Sequence, residues 1–544
     1  MDRRTLLAVA LCFLIFMGWQ KYYIEPRMPH ATAVTQTAPQ TGEAPTATQA
    51  VTAGRPDTAQ NAANISNPAT LSTAPAVKSG TPAAPFESRS IKVSTGTALI
   101  GNGPKIFTGW DLTSYRLGLA PETAAVDMKS TTNLDTEGEV LFDHPELAYL
   151  SSVAPQNFVV NGNTVTWTYE DDKVKLVREI TSNENQPYVD LKITADFKKV
   201  RANYMFVSLG TQGVKDEHEA ADRNFMYWTN QSVEKVHVKD LKLQEVATPV
   251  KWIGATTRYF VMTLVNQAPT EPRALIQPSN EIAGKISLVY PISGTTITVP
   301  LRAYFGPKEI NLLRSVDPTL DHTVDFGWFT IFAYPLLRLM KWLYGIFGNY
   351  GVAIILLTVL IKLLTYPLTY KSMKSMKKMA ALQPQLAKLK EKYKDDKEAL
   401  NREMLTLMRG KGYNPIAGCL PIIIQMPVFF ALYRVLYSSI ELYHAPFAFW
   451  IMDLSYKDPF YVTPVLLSAT MFLQQKLTPT TATDPAQQKM MQFMPLIFGG
   501  FMISLPSGLT LYMLVNAIMS ILQQLFLNKR LDGGASVPST ARAK

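Results

Sequence analysis

The pattern of apolar and polar positions changes character along the chain. From about 89 to 318 it has period two. Val165, Trp167 and Tyr169 alternate with threonines, Glu170-Asp171-Asp172-Lys173 makes a turn, and Val174 begins the return. Val189, Leu191, Ile193, Ala195 and Phe197 form one face of another strand, and Ile297, Val299, Leu301, Ala303 and Phe305 one face of a third. Such alternation between Gly, Pro and Asn punctuation predicts an all-β sandwich. Its acidic and basic residues are mixed, and no catalytic constellation stands out.

Beyond 318 the apolar runs become continuous. Residues 349–370 are mostly Leu, Ile and Val, long enough for the ~30 Å hydrocarbon core of a bilayer. The one ionisable side chain there, Lys362, lies nine residues from Lys371 and twelve from Tyr350. A charge at that depth costs about 2.5–3.5 kcal/mol and faces a partner or water rather than lipid. The alternative is a lysine that snorkels to the nearer interface. Apolar segments at 416–443, 460–477, 490–505 and 509–527 predict four further spans within 416–527, with loop 478–489 and a tight turn at Pro506-Ser507-Gly508.

The run within 325–348 is different. Arg338 and Lys341 stand three apart in its middle beside Pro335, and Trp328 and Trp342 flank them. That pattern fits an amphipathic helix lying in the membrane interface. Charge decides the topology. Loop 371–415 holds twelve Lys and Arg against five Asp and Glu, a net of +7. Basic loops stay cytoplasmic, so 325–348 lies flat on the outer face and 349–370 enters the cytoplasm. The loop reads as a helical hairpin, with a first arm at 372–394 and Asp395-Asp396 capping a second arm that ends near Gly410. Its membrane-proximal lysines meet anionic phospholipid.

At the other end, Met1-Asp2-Arg3-Arg4 precedes a 15-residue apolar run with no prompt small-x-small cleavage site. Residues 1–23 therefore read as an uncleaved anchor, with Trp19, Tyr22 and Tyr23 as its outer aromatic belt. Residues 24–88, rich in Ala, Thr, Pro and Gln, read as a disordered tether. The chain then has six transmembrane helices, a β domain at 89–318 outside, and both termini, including the tail 528–544, in the cytoplasm.

Composition narrows the chemistry. The 544 residues carry a formal charge of +10, two cysteines and six histidines. Cys12 and Cys419 sit in apolar segments, and the histidines have no metal-ligand spacing, so no metal and no catalytic residue is expected. Glu217-His218-Glu219 reads as a solvated loop. Nucleic-acid specificity is not expected.

Inside the predicted bundle the polar residues are few. Thr358 stands four before Lys362, Gln425 lies between Pro421 and Pro427, and Asn516 and Ser520 are four apart. Interhelical hydrogen bonding is one use for such groups; lining a wet cavity is the other. Arg434 and Glu441, seven apart toward the outer end of the third span, are expected to pair or to snorkel. A lone cation without an intramembrane carboxylate relay or an inverted repeat makes a poor proton-coupled transporter. It suits transient attraction of an acidic passenger through a hydrophilic groove.

The strings VDFGWF at 324–329, LTYPLT at 364–369, NPIAGCLPIIIQMPVFFALY at 414–433, APFAFWIMDLS at 445–455, TPTTATDPAQQKMMQFMP at 478–495 and LPSGLTLY at 505–512 follow in this order. On them the chain resembles, over nearly its whole length, the YidC/Oxa/Alb family of membrane protein insertases. The likeness is to the Gram-negative type with a large periplasmic domain. The resemblance implies a cofactor-free, non-enzymatic insertase and chaperone of the bacterial inner membrane. It implies a periplasmic β-supersandwich, an interfacial helix, a cytoplasmic hairpin, and a five-helix core around a groove open to cytoplasm and lipid. It also implies nascent membrane proteins as substrates, working alone or with the Sec translocon.

By the same resemblance Lys362 takes the groove's cationic site, where the family usually has arginine. Lysine keeps the charge but loses the bidentate fork. Thr358 matches a groove threonine, and Met426, Phe429, Phe501 and Tyr512 match substrate-facing positions; Gln425 and Asn516 complete the expected groove. Met513 stands where a second tyrosine is common, and Arg434 where an uncharged residue is usual. The short basic tail implies weak ribosome binding. Two other readings make different predictions. A transporter or channel gives solute flux in proteoliposomes. A membrane-tethered, sugar-binding or carbohydrate-active protein keeps its activity in 89–318 alone.

Overall fold

The computed structural model describes residues 88–532 apart from 117, 120–122, 129–137, 212–222, 231, 281–282, 394–395, 411–419 and 478–484. The expected anchor, the tether up to residue 87, both cysteines, Glu217-His218-Glu219, residues 478–484 of the loop and the tail beyond 532 lie outside the described residues.

Antiparallel strands make three sheets of nine, five and four strands among the described residues. In the nine-stranded sheet, Thr164–Glu170, Val174–Ser182, Val189–Phe197 and Thr296–Pro307 are consecutive neighbours. Leu191 faces Leu301 across one pair and Ile180 across the other, and Ile193 faces Val299. All of these are buried, so a one-residue slip would turn the whole apolar set to the wrong face. The hairpin at 170–174 is closed by Asp171, whose carboxylate accepts the Lys173 and Val174 N–H groups at 2.8 Å. Side chains of all three sheets share one core, where Phe107 and Trp110 pack on Phe305 with ring centroids 4.8 and 5.0 Å apart.

Part of the large sheet is covered on both faces. In strand Phe260–Asn266, Phe260, Met262 and Leu264 enter the sandwich core. Val261 and Val265 enter a second core, with Trp252 and Tyr304. That second core continues into the helices. Helix α1 (Ile310–Val316) supplies Leu313 and Val316; the amphipathic helix α2 (Thr330–Phe347) supplies Ala333, Leu337, Met340 and Leu343. These four lie on one helical stripe. Trp328, Ile331, Trp342 and Phe347, in and just before α2, are exposed.

The chain turns sharply after α2. Gly348 adopts the left-handed conformation, φ 65°, and its N–H bonds Tyr344 O at 2.7 Å. Asn349 then caps α3 (Tyr350–Ala380) by accepting the Val352 N–H, and Tyr344 stacks on Tyr350 at 3.9 Å across the turn. α3 runs unbroken past the expected boundary at 371. The first hairpin arm is therefore the end of α3 plus a separate helix α4 (Gln383–Lys392), not one helix over 372–394. Asp396 caps α5 (Lys397–Gly410), accepting the Glu398 and Ala399 N–H groups.

Four more helices follow: α6 (Leu420–Ser438), α7 (Val462–Leu477), α8 (Pro485–Met502) and α9 (Ser507–Asp532). Their ends differ from the apolar runs. α6 stops at Ser438, and Glu441 sits in a separate turn, Ile440–Leu442. α8 begins inside the expected loop, at Pro485, because proline suits the first helical position. Ser507 and Gly508 are no free turn but the first residues of α9. Their N–H groups bond Tyr456 O and Leu454 O at 2.7 and 2.9 Å. Among the described residues, Tyr350–Lys378 and Ser507–Lys529 are long and apolar enough to cross a membrane.

Candidate functional site

α3 and α9 pack along each other, and one charge lies between them. Lys362 is 8% exposed, and its Nζ donates to Ser520 Oγ at 2.8 Å. The tie is doubled from the other side, where Gln523 Nε2 donates to the Lys362 carbonyl at 3.2 Å. Among the described residues no carboxylate pairs with Lys362. The lysine is thus not unpaired, as its sequence context suggested; a neutral hydroxyl holds it. A hydroxyl orients an ammonium without neutralising it, so a positive charge survives in the bundle.

The neighbouring threonines do not share that charge. Thr358, Thr365 and Thr369 donate to carbonyls of their own helix, at Ile354, Ile361 and Thr365. They keep the lysine's helix face polar while satisfying their own hydroxyls. On α9, Tyr512, Asn516, Ser520 and Gln523 recur at spacings of four, four and three, which places them on one face.

The upper end of that face meets α6. Gln425 Nε2 donates to Tyr512 OH at 3.4 Å, and the Phe429 ring lies 6.5 Å from the Tyr512 ring. Tyr512 is only 2% exposed, so it is a wall, not a free surface. Met426, beside Gln425, is exposed. Phe501 is exposed on α8, which packs on α7. Of the sequence-selected residues, Lys362 joins the face of α9 that carries Asn516, and Gln425, Phe429 and Tyr512 meet one another. Gln523 was missed, although its spacing from Ser520 was visible.

The expected interfacial residues divide. Arg338, Trp328 and Trp342 are exposed. Lys341 instead bridges Glu309 at 3.3 Å and Glu441 at 3.1 Å. Burial alone would lower its pKa, but Glu441 and then Glu309 outweigh it and raise the ammonium above its ordinary value. Glu441 therefore pairs with Lys341 and not with Arg434, whose side chain is exposed. One lysine so ties the exit of the β domain, α2 and the turn after α6. Close by, Arg258 Nε donates to Tyr437 O at 2.6 Å, and its guanidinium lies 3.7 Å over the Tyr437 ring.

These two parts, a β domain and a helical core, match two family descriptions. Residues 342–534 match the 60Kd inner membrane protein family, and residues 151–339 match the YidC periplasmic domain. The membrane protein insertase YidC of Geobacter metallireducens is 34% identical over 554 residues, covering 97% of this chain and 98% of that protein.

The chain belongs to the YidC family of membrane protein insertases.

The YidC of Nitratidesulfovibrio vulgaris agrees, at 35% identity over 566 residues, covering 97% of this chain and 99% of that protein. A crystal structure of an active YidC insertase with its first transmembrane domain resolved covers 81% of this chain and 92% of its own, at 19% identity and TM-score 0.34. Insertion, the task for which the YidC relatives are named, is not an enzymatic reaction.

Proposed function

We propose that the chain inserts hydrophobic segments of nascent membrane proteins into the bacterial inner membrane through a groove on α3, α6 and α9. The observation that carries this is Lys362, a cation inside the bundle held by the Ser520 hydroxyl with no paired acid among the described residues. An acidic or polar segment gains from that charge on entry, because no permanent counterion has to be displaced, and the transfer of its apolar neighbour into lipid offsets the attraction lost on leaving. Gln425 and Asn516 supply further polar surface, with the buried Thr358 and Tyr512 as the wall behind them; Met426, Phe429 and Phe501 supply apolar contact for the segment that passes to lipid.

In this reading six helices cross the membrane: the anchor at 1–23, α3, α6, α7, α8 and α9. Both termini and the α4–α5 hairpin lie in the cytoplasm, the β domain is periplasmic, and α2 rests on the outer interface through Trp328, Trp342 and Arg338. Hairpin lysines hold anionic phospholipid. The insertase works alone or with the Sec translocon, binds ribosomes weakly, and needs no cofactor. A photocrosslinker at Met426 or Phe429 tests it against a stalled nascent membrane protein. Adducts there, with none from the same probe at Lys192 on the β domain, are expected; the reverse pattern contradicts the groove.

A further inference from the structure

The connector between α6 and α7 is built unlike the other loops among the described residues. Among the described residues, the non-glycine residues with left-handed backbone are His444, Phe449 and Tyr461, with φ 53°, 57° and 55°. All three fall in this one connector. Each costs of order 1–2 kcal/mol for an L-residue and persists only where its surroundings enforce it. Here they do. Phe447 N–H bonds Ile451 O, Leu454 N–H bonds Ala445 O, and Asn349 Nδ2 bonds Phe447 O. Ile451 and Leu454 are buried below.

This rigid frame pushes apolar side chains outward. Phe449 is 89% exposed and Phe460 69%, with Met452 and Tyr456 beside them. The charges are sorted by side. Asp458 is buried and accepts from Phe460 N, Thr463 N and Thr463 Oγ1, and Asp453 is turned to Ser455. The exposed charge of the connector is Lys457. The connector also lies level with helix ends. Its carbonyls receive the first N–H groups of α9, and Asn349 joins it to the start of α3.

We infer that residues 444–461 form a preorganised aromatic ridge seated in the lipid interface of the leaflet on the β-domain side. Phe449, Met452 and Phe460 enter the acyl boundary and Lys457 meets lipid phosphate. Aromatic and apolar side chains sit at headgroup level at either membrane interface, where a long cation can snorkel to phosphate, and the connector's acids are turned inward. The ridge thereby sets the height of α9, and with it Tyr512 and Ser520. The inference goes beyond the groove and uses only that α3 and α9 cross the membrane.

Nitroxide accessibility in nanodiscs of phosphatidylethanolamine and phosphatidylglycerol tests it, on the full chain with Cys12→Ser and Cys419→Ser. Labels go singly at Phe449→Cys, at Leu360→Cys within α3, and at Asn161→Cys on the β domain. The expected result is oxygen accessibility at 449 well above that at 161 and nickel-chelate accessibility well below it. Nickel accessibility at 449 equal to that at 161 overturns the ridge, as does shielding from both reagents, which marks a protein contact. If 360 itself is nickel-accessible like 161, the spanning reading of α3 fails instead, and the ridge falls with it.

Discussion

Lys362 Nζ and Ser520 Oγ, 158 residues apart in sequence, lie 2.8 Å apart between α3 and α9. The hydroxyl holds the ammonium but leaves its charge, so the two properties separate by mutation. Ser520→Ala removes one charge-assisted interhelical hydrogen bond and should cost about 1.5–3 kcal/mol in stability while insertion continues. Ser520→Asp places a counterion on the lysine and should lower insertion of substrates with acidic translocated tails several-fold more than of neutral ones. Protease protection after translation into proteoliposomes reads both; a Ser520→Asp variant equal to wild type on acidic tails contradicts the role of the free charge.

Arg258 clamps the β domain to the end of α6 through Tyr437. Arg258→Ala loses a charge-assisted hydrogen bond and a stacked guanidinium, about 1–3 kcal/mol together. Hydrogen exchange at 437–443 should accelerate, while strands Val174–Ser182 and Val189–Phe197 keep their protection. Unchanged exchange at 437–443 would show that the two cores alone hold the junction.

Asp317 makes a different contact, between Lys251 of the β domain and the end of α1, sensitive to acid. Burial alone would raise its pKa, but the Lys251 ammonium and the Thr319 donors outweigh burial and hold it below the ordinary carboxylate value. A depressed folded pKa contributes stability above the unfolded value of about 3.9, lost as pH falls through the lower folded value. Asp317→Asn should be less stable than wild type at pH 7 and lose less on acidification to pH 3. Denaturant titrations at both pH values decide; parallel losses would contradict the assignment.

Gly351 begins α3 against the Phe447 ring, and a Cβ there would overlap that ring. Gly351→Ala should cost about 1–3 kcal/mol by overpacking. Adding Phe447→Ala should remove most of that penalty, so thermal unfolding of the four variants should be non-additive. An additive cycle would mean that the two residues do not press on each other.

Much of this was legible in the chain, for identifiable reasons. Val189 to Phe197 alternates because one face of its strand is polar; Phe260 to Val265 does not, because both faces are covered. Lys362 was conspicuous because nothing else in its apolar run is charged. Its partner was not, since Ser520 becomes a neighbour only when α3 and α9 pack. Nor did sequence pair Lys341 with Glu309 and Glu441, one on either side of it in the chain. Helix ends misled because hydropathy marks where lipid would end, whereas α3 continues to Ala380 and α9 to Asp532, tied where Lys377 Nζ donates to Asn528 O.

The central claim is that charge at position 362 draws acidic segments into the bundle. The direct measurement compares wild type, Lys362→Arg and Lys362→Glu on paired substrates that differ only in an acidic or neutral translocated tail. Lys362→Arg should insert both as wild type does, and Lys362→Glu should lose the acidic-tailed substrate at least several-fold more than the neutral one. Equal insertion of both substrates by Lys362→Glu would contradict the account.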